Sequence, residues 1–405
     1  MPSLLEGIKV VELASYAAGP SAGVILSDFG ADVIKIEPLT GDPWRYGHLI
    51  PPLPSSDIAY CNLIQNRNKK SVALDMKKAE AQQVFYKLVE SADVLLSNCL
   101  PSVAEDLNVQ YEKIKAINPR IIYAQINGYG EGGDEDNAPG YDGTGWYARS
   151  GLMETLRAKD GDPVPIPLGM GDMSTATALF ASIMAGLYRR ETTGEGSKVT
   201  TSLIENGVWS NAISIQSELI GAGSLPKFAR EDWPQPTVNA IYKTKDGRHI
   251  IIIQLNDRVL NDMYEVIGAN HLIGDERFKD HVNRYKNHKA LFNDIQAAII
   301  KMNLDEVVEA LTSVRVTFSI VKQTRELPND PQANAIGLWP EVEGMAGVRT
   351  VNSPINVSGA EKVKPRPAPE LVGSDTAAEL KLIGYSDEEI QRLAAAQVIG
   401  VAGLS

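Results

Sequence analysis

The sequence predicts an α/β protein in which a parallel-sheet domain is followed by a smaller second domain. Three observations carry this. Strand-like and helix-like segments alternate from the start of the chain to "RIIYAQING", the texture changes around 222–236, and a hairpin signal follows. Repeated strand–helix–strand units favour a parallel sheet covered by helices, because parallel neighbours need a long crossover.

The elements follow in order. "IKVVEL" is an apolar strand, and "PSAGVILSDFG" is a helix with Pro20 in its first turn and Gly30 as its stop. "ADVIKIE" is the next strand. "SVALDM" leads into the amphipathic "KAEAQQVFYKLVESA" and then the strand "DVLLSN". A third unit ends in "RIIYAQING". A loop-rich stretch, "GYGEGGDEDNAPGYDGTG", precedes an apolar helix that begins near Asp172, and "SKVTTSL" is a further strand.

Around 222–236, "AGSLPKFAREDWPQP" combines three prolines with charges and no period, which reads as a linker. "IYKTKDGRHIIIIQL" is then a β-hairpin turning at Asp246-Gly247. Polar helices continue to about 325, short strands are expected near 340–357, and "AAELKLIGYSDEEIQRLAAAQVI" closes the chain as a helix pair. The expected division is 1–222, 223–328 and 329–405.

Composition narrows the function. The chain has 405 residues, 39 basic against 51 acidic, a net charge of −12. Such a protein repels nucleic acid and anionic membranes unless it carries a basic island. The longest nearly apolar run, "ATALFASIMAGLY", is too short to span a bilayer. Cys61 and Cys99 form neither a disulfide framework nor a zinc pattern and read as buried residues of a reducing cytosol. The opening residues read straight into a strand rather than a signal peptide, so a cytoplasmic protein is expected.

Several motifs fall short. The first loop, "AAGPSAG", lacks G-x-G-x-x-G, although Glu37 sits where a ribose-binding acid would. There is no H-E-x-x-H. "HLIGD" (271–275) has an acyltransferase-like H-x-x-x-D spacing but reads as a surface loop. "NRNKKS" gathers Arg67, Lys69 and Lys70, either as a phosphate-binding island or as a solvated turn. No histidine occurs between 49 and 248. Carboxylates remain. Asp172, in "GMGDMSTATALF", is either a helix cap or a nucleophile that the helix N-terminus keeps ionised at pH 7.

Taken together, "LLEGIKVVELASYAAGPSAGVILSDFGADVIKIEPLTGDPWR", "NRNKKSVALDM", "PGYD", "GDMSTATALFASIMAGLYRRETTGEGSKVTTSL" and "KTKDGRHI" resemble the class III CoA-transferase family. This group includes carnitine and bile-acid CoA-transferases, formyl-CoA transferases and α-methylacyl-CoA racemase. The resemblance runs from about residue 4 to the closing helices. It implies a large domain built from both chain ends, a small domain between them, and two ring-like chains interlocked as a homodimer. It implies Asp172 as the nucleophile, Tyr141 and Asp142 lining the substrate site, and Ala17, Ala18, Leu74, Met76, Lys77 and Asn98 contacting coenzyme A. Arg45 is added as a candidate for the acid's carboxylate, since a guanidinium binds it in two-pronged fashion. A surface salt bridge is the alternative for Arg45.

The implied reaction moves CoA from an acyl-CoA to a carboxylic acid through an aspartyl anhydride and an aspartyl thioester, without a metal. The racemase branch has a histidine where this chain has Tyr141, so transfer is favoured over 2-methylacyl-CoA epimerisation. A silent subunit of a heteromeric transferase would not need Asp172. Departures include Ala17 in place of a glutamine, Leu100 in place of an arginine, and "EDWPQPTVNA" in place of a glycine-rich lid. The first and last of these argue against an oxalate or formate specialist, while Leu100 removes the family's arginine contact to CoA. The first loop and "TGDPWRYG" are similar to fermentative transferases of hydroxy or aryl acids.

Overall fold

The computed structural model describes residues 3–227, 240–254 and 256–403. The described residues within Met1–Leu156, Pro163–Leu225 and Ala335–Ser405 form one compact unit, and those within Arg157–Asp162 and Pro226–Asn334 form a second.

The first unit is organised by a seven-stranded sheet. Its strands are β1 (Lys9–Leu13), β2 (Asp32–Glu37), β3 (Lys70–Leu74), β4 (Val94–Ser97), β5 (Ile122–Asn127), β6 (Ser197–Ser202) and, from the far end of the chain, β10 (Ile399–Gly400). Their order is β10-β3-β2-β1-β4-β5-β6, parallel throughout except where β10 runs antiparallel to β3. The sheet therefore reverses its winding between β1 and β4. In such sheets the crevice outside the C-terminal strand ends at that reversal is where ligands bind.

Strand alternation sends neighbouring residues to opposite faces. Val10, Val33, Val94 and Leu96 pack with Leu26, Phe29, Leu179, Phe180 and Ile183 on one face. Val11, Ile34, Leu95 and Val72 pack with Val84, Phe85, Leu88 and Ile114 on the other. The first face is covered by the helices Ala18–Asp28 and Met170–Thr193, and Phe29, which caps the first, stacks its ring on Phe180 of the second at 6.1 Å. The second face also takes Leu380, Ile390 and Leu393 from the C-terminal helices Thr376–Leu382 and Asp387–Ala395. Those helices are fastened to β3. Ser71 N–H donates to Asp375 Oδ2 at 2.8 Å and Ala73 N–H to Thr376 Oγ1 at 3.0 Å.

The second unit carries the three-stranded antiparallel sheet β7 (Ala240–Lys243), β8 (His249–Ile252) and β9 (Phe318–Ile320), in that order. The hairpin turns at Gly247, whose φ of 80° needs no side chain to be accommodated. Tyr242, Ile250, Ile252, Met263, Leu291, Ile295, Val307 and Leu311 form its core.

Some expectations change. The strands expected near 340–357 reduce to the isolated bridges Glu341–Arg349 and Val357–Ala360. Arg157–Asp162 packs with the second unit, and β10 adds a strand that the closing sequence did not signal. Cys61 is buried, whereas Cys99 is only half-buried. Residues 228–239, which hold most of the expected linker and nearly all of "EDWPQPTVNA", lie outside the described residues.

Candidate active site

Two cavities open at the C-terminal ends of the strands around the β1/β4 reversal. The smaller, about 250 Å³, is lined by Ser15–Ala18 after β1, Asn98 and Leu100 after β4, Ile126–Gly128 at the end of β5, Pro139–Tyr141, Asp172 and Leu203. The larger, about 510 Å³, is lined by residues at the ends of β1, β2, β3 and β4, among them Glu37–Thr40, Leu74–Lys77, Asn98 and Cys99. Ser15 and Asn98 line both, so the two spaces meet there.

Asp172 is the third residue of the helix Met170–Thr193, not its cap. The cap is Gly169, left-handed at φ 81°. The turn is drawn in from the side. Gly169 N–H donates to Asp142 Oδ2 at 2.7 Å, while Gly143 N–H donates to Asp142 Oδ1 at 2.7 Å. Gly171 lies so close to the Trp146 ring that a Cβ there would stand 2.6 Å from it. Gly128 and Gly140 approach equally closely, each Cβ position lying 2.7 Å from the other's Cα. These contacts let two loops and a helix start converge on one space.

Among the described residues Asp172 forms no ion pair, and no basic residue lines its cavity. Burial, followed by repulsion from Asp142, pushes its carboxyl up to about 7. This overturns the expectation that the helix N-terminus keeps it fully ionised. The dipole contributes about 0.3–1 kcal/mol, less than one pKa unit, while the two opposing effects together amount to about three units.

Of the other expected residues, Tyr141, Ala17, Ala18 and Asn98 line the Asp172 cavity, and Leu74, Met76, Lys77 and Asn98 line the larger one. Asp142 lines neither; its buried carboxylate holds the start of the Asp172 helix. Arg45 is a correction. Its guanidinium is buried against Glu37, at 2.8 and 3.0 Å, and donates to the carbonyls of Pro369 and Glu370. It lines neither cavity, and the alternative of a salt bridge holds, inside the fold rather than on its surface.

The basic island is likewise engaged internally. Arg67 pairs with Asp28 at 2.7 Å, Lys69 with Glu12 at 2.7 Å, and Lys70 with Asp32 and Glu379. Among the described residues only Lys77 puts a basic side chain on the wall of the larger cavity, where it is exposed. Glu37 also lines that cavity, its carboxylate held by Arg45. His271, in "HLIGD", is exposed and lies 3.7 Å from Asp294.

Sequence reasoning missed Tyr16, Ile126, Asn127 and Leu203. The usable signal was positional, since Tyr16 follows β1 at the reversal and Ile126 and Asn127 end β5, the strand next to β4.

The model of CoA-transferase family III matches residues 5–376. The chain is 33% identical over 403 residues to the (R)-2-hydroxy-4-methylpentanoate CoA-transferase of Clostridioides difficile, covering 98% of this chain and 99% of that one. It is 30% identical over 398 residues to the cinnamoyl-CoA:phenyllactate CoA-transferase of Clostridium sporogenes, covering 96% of each. Among solved structures, a CAIB/BAIF family protein from Brucella suis superposes with a TM-score of 0.83 at 28% identity, covering 95% of this chain and all of that one.

Proposed function

The chain belongs to CoA-transferase family III, and from that premise we propose that it transfers CoA from an acyl-CoA to a free carboxylic acid, with Asp172 as the covalent relay. The observation that carries this is the position of Asp172. Among the described residues it is the one carboxylate lining a cavity that opens beside a larger one with Lys77 on its wall. CoA would lie in the larger space, its thioester reaching past Ser15 and Asn98. Lys77 would face the phosphates as a positive charge.

Asp172 attacks the thioester carbonyl carbon, forming a mixed anhydride and releasing CoA thiolate. The thiolate attacks the Asp172 acyl carbon, so the donor acid leaves as its carboxylate and an aspartyl-CoA thioester remains. The acceptor carboxylate displaces the thiolate to form a second anhydride. Finally the thiolate attacks the acceptor's acyl carbon and frees Asp172. No water enters, and every proton and electron pair is accounted for. Oxyanions formed beside Asp172 would be met by the unpaired N–H groups with which any helix begins.

A carboxyl that titrates near 7 supplies a substantial anion fraction at neutral pH, and burial leaves that anion poorly solvated. Among the described residues the cavity lining holds no histidine, the imidazole expected for exchange of an α-proton. The two relatives' names support an acceptor bearing a bulky apolar group.

The test is a screen of acyl-CoA donors against carboxylic acids, read by mass spectrometry, with wild type and fresh Asp172→Asn side by side. Wild type should form new acyl-CoAs, and the variant should form none while still binding CoA. Full transfer by the variant would remove Asp172 from the mechanism.

We also propose a homodimer. Among the described residues Trp209 is 81% and Ile213 84% exposed, with Tyr188, Leu219 and Ile220 exposed near them in sequence. Large apolar side chains exposed along three successive helices are a surface that a partner can cover. Mass photometry should give one species of twice the chain mass; a folded monomer at nanomolar concentration would count against it.

A further inference from the structure

Tyr16 has a backbone that its side chain does not favour. Its φ is +66°, the left-handed region that bulky residues rarely enter, and among the described residues it is the one aromatic residue found there. Strain of this kind persists only when the surroundings impose it, and it gathers at functional sites. Here the surroundings do impose it. Tyr16 N–H donates to Asp42 Oδ1 at 3.2 Å. Ser15 exchanges two hydrogen bonds with the Asn98 amide, at 3.2 and 2.9 Å. The Ala14 carbonyl accepts from Lys35 Nζ at 2.8 Å.

Behind this loop lies a buried chain of charges. Asp42 Oδ2 meets Lys35 Nζ at 2.9 Å, Lys35 meets Glu12 at 3.2 Å, and Glu12 meets Lys69 at 2.7 Å. All four are buried. Two cations and two anions balance, so the loop rests on a neutral, internally satisfied support. The support carries the Tyr16 ring into the Asp172 cavity. That ring stands edge-on to Tyr141 at 6.3 Å and tilted to Trp44 at 6.4 Å. Leu100, Ile126 and Leu203 continue the same apolar wall.

We propose that Tyr16 is a specificity-determining residue, its ring and that of Tyr141 receiving the aryl or branched alkyl group of the acceptor acid, and that Asp42 and Lys35 are positioning residues for it. The inference rests on the transferase reading. A cavity of about 250 Å³ is smaller than the usual site for a drug-sized ligand, so it suits a small acid rather than a whole acyl-CoA. Edge-to-face aromatic contact favours an aryl group over a methyl beyond the area it covers.

The test is a competition. With butyryl-CoA and cinnamoyl-CoA as donors, 3-phenylpropanoate and acetate are supplied together, and the ratio of their CoA thioesters gives the ratio of kcat/KM. Wild type and Tyr16→Phe should favour 3-phenylpropanoate. Tyr16→Gly accepts the same φ without strain and removes the ring, so it should lower the ratio about tenfold, as loss of one aromatic contact predicts. If that variant does not fold, Tyr16→Asn tolerates the left-handed region and carries the same measurement.

A folded ring-less variant with the wild-type ratio would overturn the proposal. So would a wild type that transfers to both acids without preference. Transfer to neither acid by wild type would instead bring down the transferase reading, and this inference with it. For the positioning residues, Asp42→Asn should lower the same ratio; an unchanged ratio in folded protein would remove Asp42 from that role.

Discussion

Replacing Asp172 by asparagine should abolish transfer and stabilise the protein, by an amount that depends on pH. The carboxyl titrates at about 7 in the folded chain, against 3.8 when unperturbed. Between those values the native state binds more protons than the unfolded state, so wild-type stability falls as pH rises through that window. About three pKa units at 1.36 kcal/mol each set an upper bound of about 4 kcal/mol. Asp172 retains some exposure, and solvent screening reduces the effect to about 1–3 kcal/mol. Asparagine has no ionisation to suppress. It forgoes a helix-dipole contribution of about 0.3–1 kcal/mol, which acts in the opposite direction and is smaller. The two proteins should therefore melt together near pH 4.5, and the variant should melt several degrees higher at pH 8.5. Differential scanning fluorimetry at pH 4.5, 6.5 and 8.5 reads the difference, on freshly made protein whose mass excludes deamidation. A gap that stays flat with pH, or a variant less stable at pH 8.5, would refute the burial argument.

Three other outcomes follow from the same geometry. Asp142→Asn removes the like charge that is the second cause of the Asp172 shift, so the pH at half-maximal transfer should drop below 7 without reaching the ordinary carboxylate range; a pH–rate profile measures it. Lys69→Met leaves Glu12 buried with one cation fewer, and should cost about 3–5 kcal/mol in urea unfolding, since an uncompensated buried charge is far worse than an absent pair. Gly171→Ala drives a Cβ into the Trp146 ring, and should cost about 1–3 kcal/mol and lower kcat more than it weakens CoA binding, because it moves the residue next to the nucleophile.

The strands and helices of the sheet were legible because each carries a local signature. Alternation in "IKVVEL" and "DVLLSN", a helical period in "KAEAQQVFYKLVESA", and Gly247 at the hairpin need no knowledge of the rest of the chain. Charges carry no such signature. Arg67 looked like part of a phosphate site because its partner, Asp28, lies 39 residues away; Lys69 and Glu12 are separated by 57. Arg45 was misread although its partner Glu37 lies only eight residues back, because the pairing depends on how the turn after β2 folds and not on a local pattern. Asp172 was visible as a candidate, but its ionisation depends on Asp142 and on burial, neither of which the residues near it in sequence reveal. β10 is two residues long and pairs only because the closing helices dock against β3.

The internal use of cations bears on the chemistry. A guanidinium or ammonium beside Asp172 would hold an incoming carboxylate, and it would also pull the Asp172 carboxyl back toward the usual range and damp the anion's reactivity. The fold places Arg45, Arg67, Lys35 and Lys69 in buried pairs away from the cavity lining, so none of them does this. On the proposed reading, recognition of the acid would fall to the shape and apolar surface of Tyr16, Tyr141, Leu100, Ile126 and Leu203, and to backbone N–H groups. Selectivity built this way should depend on the acid's side chain more than on its carboxylate, which all competing acids share. The same charges are not idle. By holding Asp42 and the Ala14 carbonyl, Lys35 connects the buried network to the wall that makes that distinction.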